Sequence, residues 1–204
     1  MESGKRQMDN DGKTRIIFLD CDGVINNDAM ISDWISKHGD SKESMEEFRQ
    51  RYCLHDGHDG YVVPELVERL ERLCERAECK IVWSSAWREN YLKRNPDTGD
   101  FHFDYEAIKR LWMAKGFPVG RFIDCTPCEN MTHYSYVPRG LEIQNWIDKY
   151  KDVLCVGRCA IFDDNEDAGY GIGDPDVKFF QTGFSLGLTQ GIADEAEKWL
   201  KGEP

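Results

Sequence analysis

Three short strings in this chain carry side chains able to do chemistry: Asp20-Cys21-Asp22-Gly23, Ser84-Ser85 and Asp163-Asp164-Asn165-Glu166-Asp167. Each closes an apolar run: Arg15-Ile16-Ile17-Phe18-Leu19, Cys79-Lys80-Ile81-Val82-Trp83 and Cys159-Ala160-Ile161-Phe162. Near-continuous apolar runs of this length read as buried parallel strands. In open α/β sheets ligands bind at the carboxyl ends of strands, which is where these acids and hydroxyls fall. If the first strand and the strand over 159–164 are neighbours, Asp20, Asp22, Asp163 and Asp164 crowd one crevice. Each close pair then repels by about 1–4 kcal/mol at ~4 Å. A divalent cation relieves that repulsion, and an all-oxygen donor set favours Mg2+. Asp20 and Asp22, two apart at a strand end, point to the same side. One can engage an electrophile while the other donates and accepts a proton, as covalent catalysis by a carboxylate requires. Gly23 lets the chain turn away after the pair, although Asp-x-Asp-Gly is also an ordinary turn sequence.

The remaining pattern supplies the elements that must position these groups. A polar leader (residues 1–13) precedes the first strand, and residues 26–63 form an insertion with little periodicity and a helix at about 42–53. Pro64 opens a helix with Leu66, Leu70, Leu73 and Cys74 on one face. Tyr105, Ile108, Leu111 and Trp112 mark a second helix over 104–115, closed by Gly116 and Pro118. Arg121–Asp124 is a short strand, 125–140 a loop, and Ile143, Trp146, Ile147 and Tyr150 another amphipathic helix. Val177–Phe180 is a fifth strand, and Thr189 caps a last helix running to about Leu200. This alternation predicts an α/β fold: a doubly wound, parallel five-stranded sheet with right-handed crossovers, in a single domain over 14–204.

Composition narrows the partners. With 38 Asp+Glu against 26 Lys+Arg the net charge is −12 over 204 residues, a field that repels polyanions. An extended nucleic-acid surface is not expected unless Lys13, Arg15, Arg88, Lys93 and Arg94 concentrate into a patch. No run approaches the ~20 apolar residues of a membrane span and the first residues hold no apolar signal core, so the expected setting is cytoplasmic, without membrane partners. The eight cysteines are then expected as reduced thiols. Cys125 and Cys128 with Cys155 and Cys159 form an alternative zinc set.

Phe18-Leu19-Asp20-Cys21-Asp22-Gly23-Val24-Ile25-Asn26 resembles the first motif of the haloacid dehalogenase (HAD) superfamily. Ser84 resembles the second motif's hydroxyl, Arg139 in Pro138-Arg139-Gly140 the third motif's cation, and Asp163-Asp164 the acidic fourth motif, all in the family's order. Trp83-Ser84-Ser85-Ala86-Trp87-Arg88, Arg139-Gly140-Leu141-Glu142-Ile143 and Gly187-Leu188-Thr189 are similar to a small branch related to the phosphatase domains of RNA-repair proteins. The resemblance implies a HAD-like Rossmannoid sheet with a small cap in the 26–63 insertion, and a phosphatase working through an aspartyl-phosphate. In that reading Asp20 is the nucleophile and Asp22 the general acid and base. Ser84 and Arg139 stabilise the transferring phosphoryl group. Mg2+ is held by Asp20, the Asp22 backbone carbonyl and Asp163, with Asp164 or Asp167 joining directly or through water.

Several assignments stay open on sequence alone. Ser85 rivals Ser84, since strand register decides which hydroxyl faces the site. Ser85, Arg88 and Gly23 are candidate substrate contacts, with Arg88 either clamping a second anionic group or solvated at a helix start. His55, His58 and His133 read as exposed loop residues, and Tyr134, Tyr136 and Trp87 either stack on a base or pack under a loop. The expected substrate is a nucleotide or other small phosphomonoester, with a 3′ or 5′ polynucleotide end as the alternative. The reading from a different class is a phosphate-sensing or phosphoacceptor module without turnover.

Overall fold

In the computed structural model the described residues are 12–53, 60–117, 119–128 and 136–203. His55, His58, His133, Tyr134 and the leader up to residue 11 lie outside them. The apolar runs form strands where the sequence placed them: β1 (Thr14–Leu19), β2 (Cys79–Trp83), β5 (Phe122–Cys125), β6 (Val156–Asp163) and β7 (Val177–Gln181). They make one sheet in the order β5-β2-β1-β6-β7, every pair parallel. β1 and β6 are therefore neighbours, the condition on which the acidic crevice depended.

Side-chain alternation sorts the strands between two helical layers. Ile16, Phe18, Val82 and Ile161 pack with Ile143, Trp146 and Ile147, which belong to the helix Arg139–Tyr150. Ile17, Leu19, Ile81, Trp83 and Phe162 face the other way, onto the helices Pro64–Ala77, Tyr105–Ala114 and Gln190–Lys201. These helices begin as their sequences dictate. Pro64 occupies the first turn of its helix, and the side chains of Asp104 and Thr189 accept from the N–H groups of Ala107 and Ile192 at 3.0 and 3.3 Å.

The insertion holds two helices, α1 (Asp28–His38) and α2 (Lys42–Tyr52), so the remaining helices are α3 (Pro64–Ala77), α4 (Tyr105–Ala114), α5 (Arg139–Tyr150) and α6 (Gln190–Lys201). Sequence periodicity locates only the second of the insertion pair. α1 is amphipathic only weakly, burying Trp34 alone, and Trp34 packs edge-on against Phe48 of α2 with ring centroids 5.5 Å apart. Lys115, after α4, ties the insertion down: its ammonium donates to the carbonyls of Tyr52 and Gly60, both at 3.0 Å. A hairpin of β3 (Leu92–Arg94) and β4 (Phe101–Phe103), which the sequence reading passed over, sits between β2 and α4.

Among the described residues no helix is long and apolar enough to cross a membrane. The four-cysteine zinc set does not assemble. Cys125 lies on β5 beside Trp83 of β2, whereas Cys159 lies on β6, three strands along the sheet, and Cys155 precedes β6 at the amino ends of the strands, beside Thr14. All eight cysteines are free thiols.

Candidate active site

Hydrogen bonding in the sheet continues one residue past the strands. Asp20 N–H donates to Phe162 O at 3.0 Å, Ser84 N–H to Leu19 O at 2.8 Å and Thr126 N–H to Trp83 O at 2.9 Å. With Leu19 in register with both Trp83 and Phe162, and Trp83 with Cys125, this sets Thr126, Ser84, Asp20 and Asp163 in one row across the carboxyl edge. Period-two alternation puts that row on the face covered by α5, whose first residue is Arg139.

The acids converge as the neighbouring strands require. One carboxylate oxygen from each of Asp20, Asp163 and Asp164 lies within 4.8 Å of the others, with Asp20 and Asp163 buried. Gly23 makes the approach of Asp164 possible. It has φ +66°, and a Cβ there would stand 2.6 Å from Asp164 Cβ, so any side chain would displace the acid. Gly23 thus shapes the acidic cluster, with its N–H donating to Asn26 Oδ1 at 2.8 Å.

Burial and mutual repulsion push protons onto these groups. Desolvation raises Asp20 well above the ordinary carboxylate range, Asp163 and Asp22 add to that, and Arg139 and a hydrogen bond from Ser85 work against it. Asp163 is pushed up to about 6, mainly by burial, against the pull of the Asn165 N–H and Arg139. Asp164 is raised by burial and by Asp22. Burial opposes the charge of Arg139, but Asp20 and Asp163 outweigh it and hold its guanidinium above its ordinary value. Three clustered oxygen donors that cannot all ionise comfortably fit a hard divalent cation.

Asp22 stands apart from the three. Its Oδ1 accepts from Asn26 Nδ2 at 2.7 Å and its Oδ2 from Trp87 Nε1 at 2.9 Å. Trp87 therefore neither stacks outward nor merely fills the core; its indole orients this carboxylate. Asp167 also lies outside the cluster, accepting from the Arg139 backbone N–H at 3.2 Å and from the Tyr136 hydroxyl, while the Tyr136 ring remains 70% exposed.

The two serines differ. Ser85 hydrogen-bonds Asp20 and accepts from Trp87 N–H at 3.3 Å. The Ser84 hydroxyl is buried with no partner, as are Thr126 Oγ1, Thr182 Oγ1 and Arg139 NH1. Four unpaired buried polar groups at one edge of a sheet are costly, at about 1–3 kcal/mol each. These unpartnered groups suit an oxygen-rich ligand.

Arg88 requires a correction. It is neither solvated nor aimed at a substrate: its side chain is 1% exposed and all five donors are engaged. Nε donates to Thr126 O at 3.2 Å, one terminal nitrogen to Ser84 O at 2.8 Å and Ser85 O at 2.5 Å, the other to Pro127 O at 2.9 Å and to the Glu142 carboxylate. Sequence reasoning also missed Thr126, Asn26 and Glu142. Thr126 gains its place from strand register and Glu142 from a partner 54 residues away, whereas Asn26 is tied locally to Asp22 and Gly23.

The family model described as the HAD domain in Swiss Army Knife RNA repair proteins matches residues 16–193, a span that holds every residue of the site. No curated protein and no solved structure matches the chain.

Proposed function

This chain belongs to the family of HAD domains found in Swiss Army Knife RNA repair proteins, and on that footing we propose that it is a Mg2+-dependent phosphomonoesterase working through an aspartyl-phosphate. The observation that carries the reading is the buried Asp20 carboxylate, level with Ser84 across β1–β2 and in the field of Arg139, together with the unpaired donors Ser84 Oγ and Arg139 NH1. A phosphoryl group bound at Asp20 supplies the acceptors those donors lack.

Asp20 attacks phosphorus through one carboxylate oxygen as the bond from phosphorus to the ester oxygen breaks. Asp22 gives its proton to the departing oxygen, leaving an alcohol and a phosphorylated Asp20. Asp22, now ionised, takes a proton from water, and the resulting hydroxide attacks phosphorus, releasing inorganic phosphate and restoring Asp20. Ser84 Oγ and Arg139 hold the equatorial oxygens through both displacements, where preorganised donors lower the barrier most. Asp20, Asp163 and Asp164, with the Asp22 carbonyl, would hold the Mg2+ ion, which supplies charge neutralisation for the phosphoryl oxygens. Asn26 and Trp87 keep Asp22 directed while it exchanges its proton. The α1–α2 pair serves as a small cap, leaving room for a bulky leaving group.

The substrate is a nucleotide or another phosphomonoester. A polynucleotide end is the second reading, favoured by the RNA-repair setting in the family's description. Phosphate release from mononucleotides, 3′- and 5′-phosphorylated oligonucleotides, sugar phosphates and phosphopeptides, with Mg2+ and with EDTA, tests the proposal. Equal release by the wild type and Asp20→Asn on every substrate would leave the phosphoacceptor module as the better account.

A further inference from the structure

Arg88 and Glu142 meet 54 residues apart in sequence, with side chains 1% and 2% exposed. A buried pair of this kind seldom repays its desolvation in stability alone. Its connections suggest another role. Arg88 grips the carbonyls of Ser84 and Ser85 at the end of β2 and those of Thr126 and Pro127 beyond β5. Glu142 lies in the first turn of α5, three residues after Arg139. Residues at this spacing share one helix face. On that face the Arg139 guanidinium lies in the field of Asp20 and Asp163 while Glu142 pairs with Arg88.

The opposite flank of the same helical turn is fixed by a different contact. A Cβ on Gly140 would stand 2.1 Å from Tyr170 O, so α5 is seated directly on the loop after β6, and Asp167 accepts from the Arg139 N–H. The start of α5 is thus held between β6 on one side and β2–β5 on the other. Only the second attachment runs through a salt bridge. What it joins are the two elements bearing the unpaired donors, Ser84 Oγ and Arg139 NH1.

We propose that Arg88 is a positioning residue. Through Glu142 it sets the distance and angle between the Ser84 hydroxyl and the Arg139 guanidinium, so that both meet one tetrahedral oxyanion without rearrangement. The proposal rests on the phosphoryl-binding reading of the site. A planar fork with five directed donors can do this, and an ammonium cannot. Loosening it misplaces Arg139 by a fraction of an ångström, a displacement to which phosphoryl transfer is sensitive.

The test is a double-mutant cycle between Arg88→Lys and Arg139→Ala, reading kcat/KM on an aryl phosphate with Mg2+ and, separately, the affinity for inorganic phosphate by calorimetry. With Arg139 present, Arg88→Lys is expected to lower both quantities at least tenfold. With Arg139 removed, the same change is expected to cost less than threefold, because there is no guanidinium left to misplace. Equal losses in both backgrounds mean that Arg88 supports only the fold, and overturn the proposal. So does a folded Arg88→Lys protein within twofold of the parent. If Arg88→Lys does not fold, Glu142→Gln, which keeps an acceptor but not the charge, passes through the same cycle with the same criteria. If the wild type itself hydrolyses nothing, the phosphatase reading fails while the phosphate-affinity arm still decides the positioning role.

Discussion

Ser84 and Ser85 are adjacent in the chain and equally buried, yet the Ser85 hydroxyl is engaged by Asp20 and the Trp87 N–H while the Ser84 hydroxyl has no partner. The two alanine variants should therefore behave oppositely. Ser84→Ala removes a hydroxyl aimed at the ligand; kcat is expected to fall about 100-fold, as for loss of one oxyanion donor, with the melting temperature unchanged or raised. Ser85→Ala removes a made hydrogen bond and a cap, with an expected cost of about 1 kcal/mol in stability and a smaller loss of turnover. Steady-state kinetics and thermal unfolding on both variants read the contrast, and the reverse pattern would exchange the roles.

The serine pair also marks where sequence stops being sufficient. The five strands and their parallel character are legible as short apolar runs alternating with helices, but the order that puts β1 beside β6, and with it the convergence of Asp20, Asp163 and Asp164, comes only with the sheet. α1 stayed hidden since only Trp34 on it is buried, leaving almost no apolar period to read. The β3–β4 hairpin stayed hidden because strands of three residues, Leu92–Arg94 and Phe101–Phe103, are too short for alternation. Arg88 was misread for a different reason: a guanidinium beside a candidate phosphate site looks like a ligand until Glu142, 54 residues away, is seen to hold it.

Asp20→Asn is expected to abolish turnover and with it any acid-stable labelling of the protein by phosphate. Asp22→Asn should still accept phosphoryl groups from a substrate with a good leaving group but release them about 100- to 10,000-fold more slowly, since the proton transfer is lost. Quenched-flow trapping of phosphoprotein separates the two. Absence of labelled Asp22→Asn together with near-native turnover would remove Asp22 from the chemistry.

The crowded acids couple metal, pH and stability. Burial raises Asp163 to about 6 in the folded protein against 3.8 for an ordinary aspartate. The folded state therefore binds this proton more tightly than the unfolded state, so the stability of EDTA-treated protein is expected to fall as pH rises between about 4 and 6. Mg2+ should restore stability most above that window, where the carboxylates are ionised and open to it. Asp163→Asn removes one of the repelling charges; the metal-free variant is expected to melt higher than the parent and to gain little from Mg2+. Differential scanning calorimetry across pH, with and without Mg2+, measures all three effects.

Gly23→Ala tests the packing of the acidic cluster without altering any charge. The new methyl group must enter a left-handed backbone position and displace Asp164, whose Cβ would be 2.6 Å away. A stability loss above about 1 kcal/mol is expected from the backbone alone. Mg2+ affinity should fall at least tenfold, as one of the three oxygens moves outward. If the variant melts lower but binds Mg2+ as the parent does, Asp164 is not a ligand, and Asp167 becomes the acid to replace next.

Salt dependence separates the two substrate readings. The net charge is −12 and the buried Arg88 is fully engaged by protein groups, so the proposed reaction relies on Arg139 as its phosphoryl-binding cation. Affinity drawn from an extended backbone would scale with the phosphates neutralised and fall about 1,000-fold or more from about 50 to 200 mM salt if six or more were contacted. Recognition of one terminal phosphate is expected to change KM only a few-fold over that range, for mononucleotide and phosphorylated oligonucleotide alike. A steep slope with the oligonucleotide alone would show backbone contacts made elsewhere on the chain. Parallel shallow slopes with a lower KM for the oligonucleotide would instead place the added recognition on uncharged groups such as the exposed Tyr136 ring, and Tyr136→Ala should then erase the difference.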